Sequence, residues 1–233
     1  MFDVNFPLVY KDFLSLVYPP VCEACSEKLF ACESLICIQC WNNLPLTRFH
    51  KEKENPLTRL FWGRADIVTG SSLFYYHKGG MVQKIIHRLK YKGGTKLGYY
   101  LGCQLGYQLN DCTWYDQLDT IVAVPLHKER LRKRGFNQSE VIGMGLSAAM
   151  GIPLNNHLIQ RMSSTESQTR KRRFMRWQNV ETVFQLVPGS QIQGRRILLV
   201  DDVITTGATL EACTTKLTSE GAKVWVATIG VTV

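Results

Sequence analysis

Residues 197–210, ILLVDDVITTGATL, constrain the fold of this chain more than any other stretch. The short apolar run is typical of a buried strand, and the residues after the glycine are typical of a helix. Two adjacent acids, Asp201 and Asp202, end the run, although an unpaired buried carboxylate is costly. We therefore expect both acids at the carboxyl end of a central parallel strand, where open α/β sheets bind their ligands.

The residues after the two acids predict a phosphate site. The loop TTGAT leads into a helix that we expect to begin near Ala208, so its N–H groups and hydroxyls lie at the positive end of that helix. A phosphate in the loop and hydroxyls beside the carboxylates describe a sugar phosphate. A capped helix after a strand is the alternative, and it accounts for Thr206 or Thr209 but not for the paired acids.

The rest of the chain alternates short apolar runs with helical stretches, which predicts a mostly parallel α/β sheet. With 233 residues, of which 45% are hydrophobic and 20% charged, the chain can bury one good core and carry a small attached module. Its 28 Lys and Arg against 19 Asp and Glu give a net charge of +9. This excess favours anionic partners, either phosphates or nucleic acid.

The first 22 residues are apolar enough to resemble a secretory signal, but Asp3, Lys11 and Asp12 interrupt them. They lack a basic start and a small-residue cleavage site, so we predict a short amphipathic helix that ends at Pro19 and Pro20. No later run reaches the roughly 18 apolar residues of a membrane span. We therefore expect a cytoplasmic protein without membrane insertion.

Five of the eight cysteines fall between residues 22 and 40. Cys22 and Cys25 form CEAC, and Cys37 and Cys40 form CIQC, a spacing that suits a tetrahedral zinc site. Four thiolates leave no open position, so such a zinc would be structural. Two disulfides or free buried thiols are the alternative, and disulfides need an oxidising compartment. A four-coordinate metal does not need Cys32, and we assign it no role.

This clustering predicts two domains. Residues 1–58 would form an N-terminal helix and a four-cysteine zinc-ribbon module, a size at which a metal usually supplements a small core. The charged stretch RFHKEKENPLTRL is the expected connector. Residues 59–233 would form the α/β domain.

Residues 197–209 resemble the phosphoribosyl-pyrophosphate (PRPP) signature of type I phosphoribosyltransferases: a hydrophobic strand, two acids, two spacers and a Thr-Thr-Gly-x-Thr loop. The resemblance implies the type I phosphoribosyltransferase fold, a mostly parallel sheet flanked by helices. It implies that Asp201 and Asp202 are catalytic and contact the ribose hydroxyls. It also implies that PRPP or a nucleotide 5′-phosphate is bound by the residues that follow: Val203, Ile204, Thr205, Thr206, Gly207, Ala208 and Thr209.

The stretch VPLHKERLRKRGFNQSE supplies a second predicted contact, since a pyrophosphate and its Mg²⁺ need more than one loop. In phosphoribosyltransferases the loop after this strand resembles a pyrophosphate loop, often with a cis peptide, which implies that role for Leu126 and His127. The basic run that follows is alternatively a solvated helix face. Gly135, Phe136 and Asn137 predict a sharp turn into a helix capped by Asn137.

The four-cysteine ribbon, HRLKYKG, the basic stretch, QTRKRRFMRWQNVETVF and the PRPP signature together resemble the ComF competence family of predicted phosphoribosyltransferases. That resemblance runs from residue 20 to residue 231. It implies a cytosolic bacterial protein of natural transformation that handles incoming single-stranded DNA beside other competence or DNA-processing proteins. It adds these candidate site residues: Lys90, Arg134, Asn137, Gln168, Arg176 and Asn179.

After Gln168 the chain departs from the usual family pattern and has four basic residues: Arg170, Lys171, Arg172 and Arg173. With Phe174 and Trp177 among them, this composition is expected where phosphates are neutralised and bases stack on aromatic rings. In phosphoribosyltransferases the corresponding region often resembles a mobile hood that closes over the substrate. A basic surface loop with Trp177 packed inward is the alternative.

Three functions stay open at this point. In the first, phosphoribosyl transfer, Mg²⁺ and the basic loops neutralise the leaving pyrophosphate while Asp201 and Asp202 orient the ribose. The second keeps the fold without catalysis, as a PRPP- or nucleotide-sensing DNA-binding module. The third is nucleobase salvage, in which the zinc module and the basic segments have no obvious use. Nothing in the sequence identifies the acceptor.

Overall fold

A computed structural model describes residues 19–91, 94–162 and 184–232 of the chain. Its helices are α1 (Ile38–Asn43), α2 (Pro56–Arg59), α3 (Met81–Leu89), α4 (Gly94–Asn110), α5 (Lys128–Arg134), α6 (Gln138–Met150) and α7 (Ala208–Thr218). Its strands are β1 (Gly70–Tyr75), β2 (Thr120–Ala123), β3 (Ile159–Arg161), β4 (Phe184–Leu186), β5 (Arg196–Ile204) and β6 (Lys223–Val231). Short 3₁₀ turns cover Phe49–Lys51 and Thr113–Tyr115.

A parallel sheet with the strand order β1-β6-β5-β2 forms the centre of the molecule. Its strand β5 has a neighbour on each side, since Val200 pairs with Ala123 of β2 and with Ala227 of β6. Parallel neighbours need crossover connections, and helices supply them here. The mostly parallel α/β sheet that the sequence predicts is therefore confirmed.

Successive residues of β5 face opposite sides of the sheet, and each side has its own core. Leu198 and Val200 pack with α3, α4 and α6 on one side. Ile197 and Leu199 pack with α7 and with Leu57 of α2 on the other. Burial of each such side chain contributes about 1.5–3 kcal/mol relative to exposure. Both faces of the strand are thus held, which fixes the position of the two acids at its end.

Helices α4 and α6 cross at close range because glycines lie where they meet. A Cβ atom at Gly102 would lie 2.2 Å from the carbonyl oxygen of Ile142. A Cβ atom at Gly145 would lie 2.1 Å from the carbonyl oxygen of Tyr99. Both contacts are with backbone, which has little room to shift, so the two helices have one fixed arrangement.

The cysteine-containing segment packs on the side of the sheet that carries α3 and α4. Trp41 of α1 makes edge-on contacts with Phe74 of β1 and Tyr100 of α4, with ring centroids 6.0 and 5.8 Å apart. Arg88 of α3 donates to the carbonyl oxygen of Cys22 and to Glu23, at 3.1 and 3.0 Å. The segment therefore shares a core with the α/β domain. The predicted domain division at residue 58 stays a prediction, and α2 spans that position.

Two parts of the structure differ from the simplest expectation. The basic run at residues 128–134 folds as α5, and none of the residues of this helix is buried. The alternative of a solvated helix face therefore describes this segment. Strands β3 and β4 form an antiparallel pair that the sequence pattern did not predict, because three residues are too few to show a period. The predicted N-terminal helix lies outside the described residues. Within residues 19–91, 94–162 and 184–232, no helix is both long and apolar enough to cross a membrane.

Candidate functional site

Asp201 and Asp202 lie among the last four residues of β5, at the carboxyl edge of the central sheet. A carboxylate oxygen of Asp201 accepts hydrogen bonds from Ser139 Oγ at 2.9 Å and from the backbone N–H of Asp202 at 2.8 Å. Asp202 forms an ion pair with Lys90, whose Nζ lies 3.1 Å from its carboxylate. Three segments far apart in the sequence thus meet at the position predicted for the ribose.

The two carboxyl groups differ in environment. Burial raises the pKa of Asp201 to about 7, and the negative charge of Asp202 adds to this effect. The hydrogen bonds from the Asp202 N–H and from Ser139, and the charge of Lys90, act in the opposite direction and are weaker together. Asp201 therefore holds its proton over a pH range in which an ordinary aspartate has lost it.

This raised pKa predicts a pH dependence of stability. An unfolded aspartate ionises near pH 4, whereas folded Asp201 ionises near pH 7, so the folded chain binds the extra proton in between. Stability should therefore fall as pH rises from about 4 to about 7, by at most about 1.4 kcal/mol per pH unit from this group. The Asp201→Asn variant should lose this slope and exceed the wild type in melting temperature at pH 8. Thermal unfolding at several pH values measures it, and parallel curves for the two proteins would assign the slope to another group.

The loop after β5 has the form that the phosphate prediction requires. Thr205, Thr206 and Thr209 are exposed, and α7 begins at Ala208 as expected. Gly207 has φ +77°, a left-handed conformation that glycine adopts without strain. The N-cap residue Gly207 has no side chain to cap α7, and the N–H of Ala208 makes only a long hydrogen bond, 3.5 Å, to Thr206 Oγ1, so the start of this helix can accept an anion. Ile204 is buried, which leaves only its backbone to take part.

The segment after β2 lies at the same edge of the sheet. The N–H of Val124 donates to the carbonyl oxygen of Val200, the residue before Asp201, at 2.9 Å. Leu126 and His127 follow directly and are half-buried, and His127 caps α5 through its Nδ1 atom. The described residues contain no cis peptide bond, so this loop lacks the cis geometry that the resemblance suggested.

Asn137 joins this segment to α6. Its side chain accepts from the N–H of Ser139 as the predicted helix cap, and it donates to the carbonyl oxygen of Val124 at 3.0 Å. Arg134, at the end of α5, donates a hydrogen bond of 2.7 Å to the side chain of Gln138, the first residue of α6. Asn137 is therefore at the sheet edge, whereas Arg134, the last residue of α5, donates to α6 rather than to the sheet edge.

Two residues near the site were missed by sequence reasoning. Ser139 lies in the stretch FNQSE, where its neighbour Asn137 was noticed as a cap, so position in that motif was a usable signal. Arg64 contacts the N-terminal turn of α7, where it donates to Glu211, and its guanidinium lies 3.6 Å from where a Cβ of Gly207 would be. Glu211 is 147 positions away along the chain, and no sequence pattern connects the two.

The four predicted metal ligands come together. The sulfur atoms of Cys22, Cys25, Cys37 and Cys40 all lie within 4.8 Å of one another, and the pair from Cys25 and Cys37 is 3.9 Å apart. A tetrahedral zinc with bonds of about 2.3 Å requires sulfur separations of about 3.8 Å, so the cluster fits this metal. The cysteines are unpaired by disulfides, and Cys32 is exposed and outside the cluster.

Backbone hydrogen bonds to the sulfur of Cys22 favour its thiolate form. Burial acts to raise the pKa of the Cys22 thiol, but N–H groups of Cys25, Cys37 and Ala24 lower it to about 7. Burial raises the pKa of Cys40, and among the described residues no backbone N–H group donates to its sulfur to offset this effect. Four sulfur atoms at this spacing form a donor set that suits a tetrahedral metal ion, whose positive charge would favour the thiolate form of all four.

The candidate residues of the hood loop lie outside the described residues: Gln168, Arg170, Lys171, Arg172, Arg173, Arg176 and Asn179. Their predicted role stays a prediction.

The sequence of this chain is similar to those of several known proteins. A model described as "Phosphoribosyl transferase domain" matches residues 126–233. The chain is 33% identical to Competence protein F of Haemophilus influenzae over 148 residues, which is 60% of this chain and 65% of that protein, just under two thirds. It is 29% identical over 225 residues to DNA utilization protein YhgH of Escherichia coli O157:H7, covering 91% of each. It is 26% identical over 201 residues to Competence protein ComFC of Bacillus subtilis, covering 86% and 79%.

These matches agree with the geometry. The matched domain begins just after β2 and contains both carboxylates and the loop of residues 205–209. The longer alignments cover nearly the whole chain, and the cysteine cluster has the spacing of a metal site. The chain is therefore similar to Competence protein F and Competence protein ComFC. Residues 126–233 of its parallel α/β sheet domain match the phosphoribosyltransferase domain, and a four-cysteine cluster lies near its N-terminus.

Proposed function

We propose that this protein binds PRPP with Mg²⁺ at the carboxyl edge of its sheet and takes part in natural competence by handling incoming single-stranded DNA. One observation carries the PRPP half: paired carboxylates near the end of the central strand precede an exposed threonine loop that opens α7. Together they match the hydroxyls and the 5′-phosphate of a ribose phosphate. A cytoplasmic location and a contact with other DNA-processing proteins belong to the same proposal.

Each part of PRPP has candidate partners in this arrangement. The loop Thr205–Thr209 would hold the 5′-phosphate through backbone N–H groups and hydroxyls. Asp201 and Asp202 would accept hydrogen bonds from the ribose hydroxyls. The backbone at Leu126 and His127 would face the pyrophosphate, with the basic helix α5 beside it. A ligand that displaces Lys90 from Asp202 would free its ammonium group for a phosphate.

If transfer occurs, the bond between the anomeric carbon and the pyrophosphate oxygen would lengthen ahead of attack by the acceptor. Asp201 and Asp202 would orient the ribose and lie beside the developing positive charge. Their carboxylate oxygens are ligands that Mg²⁺ prefers, and that ion would supply charge neutralisation of the leaving group. The role of the protein would be mainly position and charge.

We also propose that the four-cysteine cluster binds one structural zinc ion. The sulfur separations fit tetrahedral coordination, and four thiolates leave no position for a substrate. Because this segment packs against α3 and α4, the metal would stabilise one side of the α/β core as well as its own loop.

The DNA half of the proposal is supported by the relatives and by charge. One relative is named a DNA utilization protein and two are named competence proteins. The net charge of +9 favours a polyanionic partner. The match covers less than two thirds of Competence protein F, so what that whole protein does is carried over here only as a proposal.

A calorimetric titration with PRPP and Mg²⁺, followed by an assay for pyrophosphate release with and without single-stranded DNA, tests the function. We expect saturable binding with one PRPP per chain and release that depends on DNA. Binding without release would leave the PRPP-sensing, DNA-binding module as the function. No binding of PRPP would reject the ribose phosphate site itself.

A further inference from the structure

An open groove of about 1000 Å³ lies between α4 and the turn that joins α5 to α6. Residues from both sides line it, and Ser34 and Leu35 of the cysteine segment close one end. One acid of the groove, Glu140, accepts a hydrogen bond from Asn156. The groove has aromatic and apolar side chains with one cation and this acid among them: Lys96, Tyr99, Tyr107, Phe136, Glu140 and Met144. None of them takes part in the carboxylate site described above.

The groove exposes large apolar side chains that a folded protein ordinarily covers. Tyr99 is 45% exposed, Tyr107 is 56% exposed and Met144 is 45% exposed. Exposed patches of this kind, rimmed by polar residues, mark surfaces that bind a partner. The close crossing of α4 and α6 at Gly102 and Gly145 holds the two walls rigidly, so the groove does not collapse to bury them.

The tyrosines are arranged along one line. Lys96, Tyr99 and Tyr107 lie three and eight positions apart on α4, which places them on one helix face. Eight residues of α-helix rise about 12 Å along the helix axis, the length of about three to four stacked bases. Exposed aromatic rings in a row, with a cation at one end, form a stacking surface for unpaired bases.

The rim supplies positive charge for phosphates. Helix α5 has five basic residues and one acidic residue, and none of them is buried. Leu131 of this helix and Gly135 at its end line the groove, so α5 runs along its rim, although the basic side chains of α5 are not among the lining residues. The surface therefore combines exposed aromatic rings and Lys96 in the groove with an exposed basic helix at its rim, which suits a polyanion with flat bases.

The groove also meets the carboxylate site. Asn137 lines the groove, and the same side chain bonds Val124 at the sheet edge and caps the turn that holds Ser139 against Asp201. A strand lying in the groove would have one part next to the proposed PRPP position.

We propose that this groove, and not only a basic loop elsewhere, binds single-stranded nucleic acid, with Tyr99 and Tyr107 stacking on bases and α5 neutralising phosphates. The inference rests on the proposed function for its partner, DNA. It adds the surface and the mode of recognition. A double-stranded partner would not offer its bases to these rings.

Fluorescence anisotropy with a labelled oligothymidylate long enough for a site of about 16 nucleotides tests the groove. The double variant Tyr99→Ala, Tyr107→Ala should bind at least about 20-fold more weakly, since removing each stacking ring costs about 5-fold or more. Tyr107→Phe should keep most of the affinity, because the ring and not the hydroxyl stacks on the base. Lys128→Ala with Arg132→Ala should flatten the salt dependence, by about 0.7 in slope for each phosphate that is no longer neutralised.

Trp62→Ala is the matched control, because Trp62 is 60% exposed beside Arg59 but lies outside the groove. It should bind the oligonucleotide as the wild type does. PRPP titrations of every variant, with circular dichroism, show whether the fold and the PRPP site persist.

The outcomes separate this inference from the proposed function. If the double tyrosine variant binds the oligonucleotide as tightly as the wild type does, the groove is not the binding site, although DNA is still a partner. No DNA binding by the wild type, with PRPP still bound, would overturn both the groove and the DNA half of the proposal. Displacement of the oligonucleotide by polyglutamate at equal charge would overturn base stacking in favour of an acidic protein segment. Equal loss of affinity in Tyr107→Phe and Tyr107→Ala would also contradict stacking.

Discussion

The Cys22→Ser variant is expected to lose a bound zinc ion and to unfold residues 21–44. Cys22 is fully buried, and its sulfur accepts N–H groups from Ala24 and Cys37 at 3.4 and 3.3 Å. A structural zinc site contributes about 10–16 kcal/mol of apparent binding free energy, as much as the whole stability of a typical domain. Metal analysis should fall from one zinc per wild-type chain to none, and hydrogen exchange of residues 21–44 should rise to that of an unfolded segment.

The control for this prediction is in the same loop. Cys32 is exposed and lies outside the sulfur cluster, so Cys32→Ser should keep both the zinc and the slow exchange. A wild type without zinc would reject the metal site. Zinc retained at full occupancy in Cys22→Ser would show that the other three sulfurs suffice and that Cys22 is not a required ligand.

The second large effect is expected from Asp202→Asn on the binding of PRPP. Asp202 is paired with Lys90, and its carboxylate is partly exposed at the sheet edge, where a ligand can reach it. Losing a charge-assisted hydrogen bond to a ribose hydroxyl costs about 1.5–3 kcal/mol. The dissociation constant measured by calorimetry should therefore rise about 10- to 100-fold. Binding of single-stranded DNA should change little, because the groove does not include Asp202.

The control for Asp202→Asn is Asp119→Asn, which removes the same charge at the opposite edge of the sheet. Hydrogen bonds from the Arg196 side chain and backbone lower the pKa of Asp119 to about 2, so this carboxylate is ionised and paired. Its loss should lower the melting temperature without a specific effect on PRPP affinity. If Asp119→Asn weakens PRPP as much as Asp202→Asn does, the effect of Asp202 is general destabilisation. If neither weakens it, PRPP binds elsewhere.

Much of the candidate site could be predicted from the sequence because its residues are close together in the chain. The two carboxylates and the threonine loop occupy nine consecutive positions, 201–209, at a strand-to-helix junction, and local spacing determines their order in space. The paired cysteines could be recognised for the same reason, since each pair occupies one tight turn. Asn137 was predicted as a helix cap because capping depends on residue type and position alone.

Other parts of the site could not be predicted because their partners are distant in the chain. Ser139 reaches Asp201 across 62 positions, and Arg64 reaches Glu211 across 147. The basic run at residues 128–134 allowed either a loop or a helix, and charge composition does not separate the two. Strands β3 and β4 are too short for their alternation to be read, and their pairing depends on register between separate segments.

The sequence by itself determined the main features of this protein: a parallel α/β sheet, a threonine loop directly after two paired acids, four thiols with metal spacing and an excess of positive charge. These depend on residue types and short spacings, which local backbone geometry converts directly into structure. Only the tertiary structure decided that Lys90 pairs with Asp202, that burial raises the pKa of Asp201, and that two tyrosines line a groove beside the site. Those features arise from helix packing and desolvation, which depend on which distant segments pack together and are not encoded in any local stretch.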